Sequence, residues 1–395
     1  MSTRGGGSLT RGYTGFGALS SMSPGEWGRA SFRFDSFALR SWWWWNLGEQ
    51  KVVRPVSRSY RGLVLAAGLG RRLRPLTNDR PKGALPVADE IIAGHNVLKL
   101  ARAGVEEIGV VVGHKASKLK EALGDGSSLG VRIRYFVQPE PKGTADAVLR
   151  AKEFCQPFPF ILAFGDNVSD AELSSLLDLH EEGLSVVTVA VRRVDDPRKF
   201  GVVSLRDSWV VEVEEKPRKP KSNLAIAGFF CIEPEFLSEL ERVPERVDGE
   251  RNLTDALARL ASLGKVRAWT ADFWRVNVNT GADLLTANEG LLSRKGGMPA
   301  NSFGFEVLPP SYLHPDAEVE RGAVIGPYTT VCQGAIVGEE ARVERSILLP
   351  GAKVGRGARL VNCIVGEGAV VPAMARLAAP PQRPIIIPHF SSPTP

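Results

Sequence analysis

Between residues 63 and 86 the chain reads LVLAAGLGRRLRPLTNDRPKGALP, and its small and cationic residues are spaced to bind phosphate. Gly68 and Gly70 carry no Cβ, so backbone N–H groups there can approach an anion closely. Arg71 and Arg72 follow at once with forked donors suited to polyphosphate oxygens, and Lys82 adds a further cation. The apolar run Leu63–Ala67 reads as a buried strand, which puts the glycine turn at its C-terminal end, the edge where open α/β sheets hold their ligands. A second apolar run, Phe160–Phe164, ends in Gly165-Asp166-Asn167. A carboxylate at such a strand end is well placed to hold Mg²⁺ against phosphate oxygens, so Asp166 is the first metal-ligand candidate. Asp170, just beyond it, reads as a helix cap.

The elements that must position these residues follow from the apolar pattern. Strands are predicted at Leu63–Ala67, Ile108–Val112, Ile133–Phe136, Phe160–Phe164 and Val186–Val191, with amphipathic helices such as Val97–Ala103 and Leu173–Glu182 between them. That alternation over residues 61–293 predicts an α/β domain with a mostly parallel sheet covered on both faces. After a linker at 294–311 the pattern changes. Aliphatics recur every six residues at Val319, Ile325, Val331, Val337 and Val343, slip near Leu348–Pro350, and resume at Val354, Leu360, Val365 and Val371. A six-residue repeat over 312–375 marks a parallel β-helix of three to four coils, whose flat faces make a homo-oligomer the default expectation. Residues 376–395 read as an extended, Pro-rich tail. Residues 1–60 hold five of the eight tryptophans, including Trp42 to Trp45, and sustain no period, so a disordered leader is expected there.

Charge narrows the partners. Residues 1–61 contain nine Lys/Arg and three Asp/Glu, while the remaining 334 residues hold 41 of each sign. The basic character belongs to the leader, and net charge gives the body no support as a nucleic-acid binder. No stretch approaches the ~18 apolar residues of a membrane span, and no signal peptide is evident. Four scattered cysteines form neither a zinc site nor a disulfide framework and suit a reducing cytoplasm.

The string Gly68-x-Gly70-x-Arg72-Leu73-x-Pro75-Leu76-Thr77, followed by Pro81-Lys82, resembles the hallmark of the sugar-phosphate nucleotidyltransferases, and the similarity continues in order through residue 293. The resemblance implies a Rossmann-like nucleotidyltransferase domain followed by a short left-handed parallel β-helix. It also implies an enzyme that joins a nucleoside triphosphate to a sugar 1-phosphate with Mg²⁺ and releases pyrophosphate. On the matching positions, Ala66, Gly68, Gly70, Arg71, Gln138, Gly143 and Thr144 would meet the nucleotide, Gln138 reading a uracil or thymine edge through its amide. Glu215, Asn223 and Gly228 would line the sugar pocket. Arg72, Lys82 and Lys216 would be catalytic, with Lys216 aligning the sugar phosphate. Asn277 stands where many relatives carry the second metal-binding Asp, and Arg71 where they carry Thr or Ser. Those departures keep open a non-catalytic regulatory subunit. The resemblance is also compatible with a mannose-1-phosphate guanylyltransferase and with a bifunctional uridylyltransferase/acetyltransferase. The bifunctional enzyme would need a catalytic His, and His314 alone borders the repeat.

Overall fold

The computed structural model describes residues 58–113, 115–247, 249–296 and 304–392. The expected leader therefore lies almost wholly outside the described residues, as does the middle of the expected linker. Nine strands form the main sheet: β1 (Arg61–Leu65), β2 (Glu107–Val112), β3 (Arg132–Val137), β4 (Phe160–Phe164), β5 (Val187–Arg193), β6 (Gly201–Arg206), β7 (Trp209–Glu215), β8 (Leu224–Ile232) and β9 (Val266–Thr270). Their order is β3-β2-β1-β4-β8-β5-β9-β7-β6. Strands β3, β2, β1 and β4 run parallel, whereas β8 is antiparallel to both neighbours. Strands β5, β6 and β9 run the same way as those four, so the sheet is mostly parallel, with β7 and β8 reversed. The two-residue link between β6 and β7 can only make an antiparallel hairpin, and β8 runs against β4 and β5.

Alternation along the strands builds two cores. Leu63, Leu162 and Phe230 face one cluster, while their neighbours Val64, Ile161 and Phe229 face the other. Helix α1 (Ile92–Arg102) covers the second cluster through Val97 and Leu100; α2 (Gly143–Leu149) and α3 (Leu253–Ser262) cover the first through Val148 and Leu257. Among the described residues no helix is long and apolar enough to cross a membrane.

Beyond helix α4 (Gly281–Lys295), strands of two or three residues stack into three parallel ladders of five, five and four strands, a β-helix-like body. The repeating aliphatics all point inward, from Val319 and Ile325 through Val371. The slip in the hexad spacing has a local origin. One corner of the coil carries left-handed Tyr328 (φ 59°) in one turn, and Arg345 (φ 46°) and Asn362 (φ 54°) in the next two. Val343 to Leu348 and Leu360 to Val365 are each one residue shorter than Ile325 to Val331, yet the ladder pairs Leu348 with Val331 and Val365. The stack also reaches further than its hexads. Glu306–Val307 opens the first ladder, and Arg376–Ala378 and Ile385–Ile387 extend two ladders into the segment expected to be a bare tail. Pro380 and Pro381 break the spacing without ending the fold, because Ile385–Ile387 still pairs with Cys363–Val365.

The two bodies share a core. Ile347 and Ile364 point out of the second ladder into a cluster with Leu73, Leu76, Val278, Leu284 and Leu291. The coil stack therefore lies directly behind the glycine turn that follows β1.

Candidate active site

Strand β1 ends at Leu65, and Ala66 donates its N–H to Val111 O at 2.8 Å, so the turn leaves the sheet between β2 and β4. Gly70 is left-handed (φ 60°) and its carbonyl accepts from Thr77 Oγ1 at 2.8 Å. The tight turn Arg71–Leu73 buries Leu73 and exposes Arg71 and Arg72. Neither guanidinium has a protein partner among the described residues, which leaves two forked cations free at the sheet edge.

Lys82 returns toward the same edge. Its ammonium meets Asp166 Oδ2 at 2.6 Å, Asn279 Oδ1 at 3.3 Å and the Val278 carbonyl at 3.4 Å, three acceptors for three N–H donors. The ribbon that holds these groups pairs Asn167–Ser169 with Arg275–Asn277, and Val278 N–H donates to Asp166 O at 2.9 Å. Asn277 is thereby held beside Asp166. Its Oδ1 is buried without a hydrogen-bond partner, a cost that a cation would remove. One carboxylate and one unpartnered amide oxygen are hard oxygen donors of the kind Mg²⁺ takes, so these residues fit that ion.

In the segment after β3, Gln138 is buried and its amide N–H groups donate to Gly143 O (3.0 Å) and Asp146 Oδ2 (2.9 Å). Both donors are spent on the loop, so only Oε1 remains to accept a further hydrogen bond. Gly143 is required by its surroundings: at φ 90° a Cβ would lie 2.3 Å from Arg251 O. Thr144 Oγ1 accepts from Leu253 N–H at 2.9 Å and so anchors the start of α2 to α3.

At the end of β7, Glu215 pairs with Gly201, and its carboxylate lies 3.2 Å from the exposed Lys216 ammonium. Lys216 itself is left-handed (φ 45°) and donates its N–H to Phe200 O. Asn223 Oδ1 accepts from Arg193. Gly228 sits in a bulge of β8 at φ 83°, where a Cβ would fall 2.1 Å from Asn167 Nδ2. Among the described residues no side-chain hydrogen bond or ion pair joins Lys216 or Asn223 to the Lys82–Asp166 group; Lys216 follows β7 and Asn223 precedes β8.

Some of the wall was missed by the sequence reading. Arg275 donates to Asn167 Oδ1 at 3.0 Å and lies over the Phe200 ring at 5.4 Å. Burial pushes its guanidinium down to about 10, against the pull of the Asp166 carboxylate. Its place directly before Val276-Asn277 was the available signal. Asn279 was missed also. Asp170 is not a helix cap: it accepts from Trp274 N–H and Arg294 Nε, tying the ribbon to α4.

Residues 61–293 match the family model described as "Nucleotidyl transferase", and residues 307–381 match the "GMPPB C-terminal domain". The chain is 34% identical over 238 residues to low-salt glycan biosynthesis nucleotidyltransferase Agl11 of Haloferax volcanii, covering 60% of this chain and 67% of that one. It is 30% identical over 314 residues to a glucose-1-phosphate thymidylyltransferase of Streptomyces griseus, covering 74% and 88%. A crystal structure of a Bacillus anthracis protein in complex with a sucrose aligns at a TM-score of 0.56 and 27% identity, over 58% of this chain and 94% of that one. With a family match that spans the whole sheet-bearing body, the glycine turn and the Lys82–Asp166 pair included, the chain belongs to the nucleotidyl transferase family.

Proposed function

We propose that this chain transfers a nucleotidyl group from dTTP or UTP to glucose 1-phosphate or N-acetylglucosamine 1-phosphate, releasing pyrophosphate. The observation that carries the reading is the Lys82–Asp166–Asn277 group beside two unpartnered arginines at the sheet edge. Gly68, Gly70, Arg71 and Arg72 hold the triphosphate, and Lys216 aligns the sugar phosphate. An oxygen of that phosphate attacks the α-phosphorus in line, and the bond from the α-phosphorus to the bridging oxygen breaks with its electrons on pyrophosphate. No general base is needed, since the attacking phosphate is already ionised. Arg72 and Lys82 offset the charge that builds on the departing oxygens. Asp166 and Asn277 would hold Mg²⁺, which supplies neutralisation of phosphate charge. Gln138 Oε1, the one group of its amide left over, suits the ring N–H of a pyrimidine. Glu215, Asn223 and Gly228 shape the sugar end.

Around that chemistry we read the coil stack as left-handed and the protein as a cytoplasmic homo-oligomer. Support comes from the hexad spacing, from Val370 exposed on the third ladder, and from four buried free cysteines. A second reading, mannose-1-phosphate guanylyltransferase, is favoured by the match of residues 307–381 to the GMPPB C-terminal domain.

Pyrophosphate release with Mg²⁺, each nucleoside triphosphate and a panel of sugar 1-phosphates tests both. Release is expected to be fastest with dTTP or UTP, and Lys82→Ala is expected to lower kcat by about 10²–10³-fold. Fastest release with GTP and mannose 1-phosphate selects the second reading, and no release with any pair leaves a non-catalytic subunit. Acetylation of glucosamine 1-phosphate would mark a bifunctional enzyme.

A further inference from the structure

The segment between the glycine turn and Lys82 is held by its own turn hydrogen bonds and by Lys115, and in addition by the coil stack. Its buried Arg80 is 3% exposed and is neutralised by Asp79 and by Glu367, which lies 287 residues further along in the coil stack. Lys118 binds the other oxygen of Glu367 at 3.1 Å. Next to this pair, His389 joins the two bodies through both ring nitrogens. Nδ1 accepts the Glu367 N–H at 2.8 Å, so Nε2 carries the hydrogen and donates to Leu76 O at 3.0 Å. Leu73 and Leu76 are fully buried against Ile347, Leu349 and Ile364 of the same stack. One carbonyl, one buried cation and one apolar cluster thus tie the stretch from Arg71 to Lys82 to residues 347–389.

We infer that His389 and Glu367 are positioning residues for nucleotide binding: the far coils of the β-helix fix the loop that carries Arg72 and Lys82. The role given to that loop rests on the function proposed above. Neither residue touches the reacting atoms. Each acts through a backbone or a charge that sets where the loop cations stand, so the effect falls on the triphosphate rather than on the sugar phosphate.

Three substitutions at one position separate this from a general loss of structure. Gln can place an amide N–H near the position of Nε2 and keep the bond to Leu76 O. Asn reaches only as far as Nδ1, and Ala makes neither contact. In steady-state assays of the full chain, His389→Ala and His389→Asn are expected to raise KM for the nucleoside triphosphate by about tenfold. KM for the sugar 1-phosphate should stay within about twofold, and His389→Gln should stay near the parent. Hydrogen exchange of the unliganded protein gives a readout independent of activity: amides of residues 71–80 should exchange faster in His389→Ala and Glu367→Gln, with α2 unchanged. Equal exchange in parent and His389→Ala overturns the inference. So does faster exchange with an unchanged nucleotide KM, and so does a Gln variant no better than Ala. A parent that releases no pyrophosphate would sink the proposed reaction while leaving the exchange comparison to decide the contact.

Discussion

Glu90 lies over the first turn of α1, and its carboxyl fills the space where a Cβ on Gly94 would come within 2.5 Å of it. Burial pushes this carboxyl up to about 7, against a bond from Ile91 N–H that favours the ionised form. The unfolded chain ionises it near the ordinary value of 4.5, so between that pH and 7 the folded state holds the extra proton. Its contribution to stability is complete below the unfolded value and is lost as pH rises through 7. Glu90→Gln keeps the acceptor for Ile91 and cannot ionise. In urea unfolding it should gain about 3 kcal/mol over the parent at about pH 8 and nothing near pH 4.5. An equal difference at both pH values would contradict the assignment. Single residues also show the reach of sequence reading. Asp166 and Lys82 were both legible, one from a strand end and one from a family string, and they meet at 2.6 Å. Arg80 and His389 were not, because no local spacing encodes a partner some 300 residues away.

At the scale of elements, period carries the information. A repeat of six puts every sixth side chain inside the coil, so the inward row from Val319 to Val371 could be read directly, slip included. The outward rows could not, since burial does not constrain them. On the first ladder Arg342, Arg359 and Arg376 stand directly opposite one another, all exposed and without an acidic partner among the described residues. Like charges in register are unfavourable, and Thr suits a flat strand better than Arg. Arg359→Thr is therefore expected to raise Tm by about 1–2 °C at low salt, with the gain fading as salt screens the row. A fall in Tm at low salt would mean the arginines have a favourable partner. The sheet of the first body was harder to read: β1 to β4 follow the strand–helix rhythm, but β7 and β8 reverse direction without any change in composition. The strand at Ile385–Ile387 was hidden by the prolines before it.

For the molecule as a whole, the cluster joining Leu73 and Leu76 to Ile347 and Ile364 belongs to both bodies at once. Two bodies with separate cores would unfold separately; here either one, unfolding alone, would leave that cluster open to water. A single urea transition is expected. Trp209, Trp269 and Trp274 are the tryptophans among the described residues and all belong to the first body, so single-tryptophan variants that keep Trp269 alone follow that body by fluorescence, while hydrogen exchange over 319–371 follows the stack. The two curves should share a midpoint, and a resolved early loss of exchange protection in the coils would show that they melt independently. The shared cluster was not legible beforehand, because each of its members looks like ordinary core when read along the chain. The bonds from Glu367 and His389 to the loop after β1 have a bearing on biosynthesis as well. A ribosome makes residues 367–389 after every strand of the sheet has left it. The nascent first body can pair its strands early, but its glycine turn gains its last supports only with late translation, which would keep an incomplete chain from sequestering nucleotide.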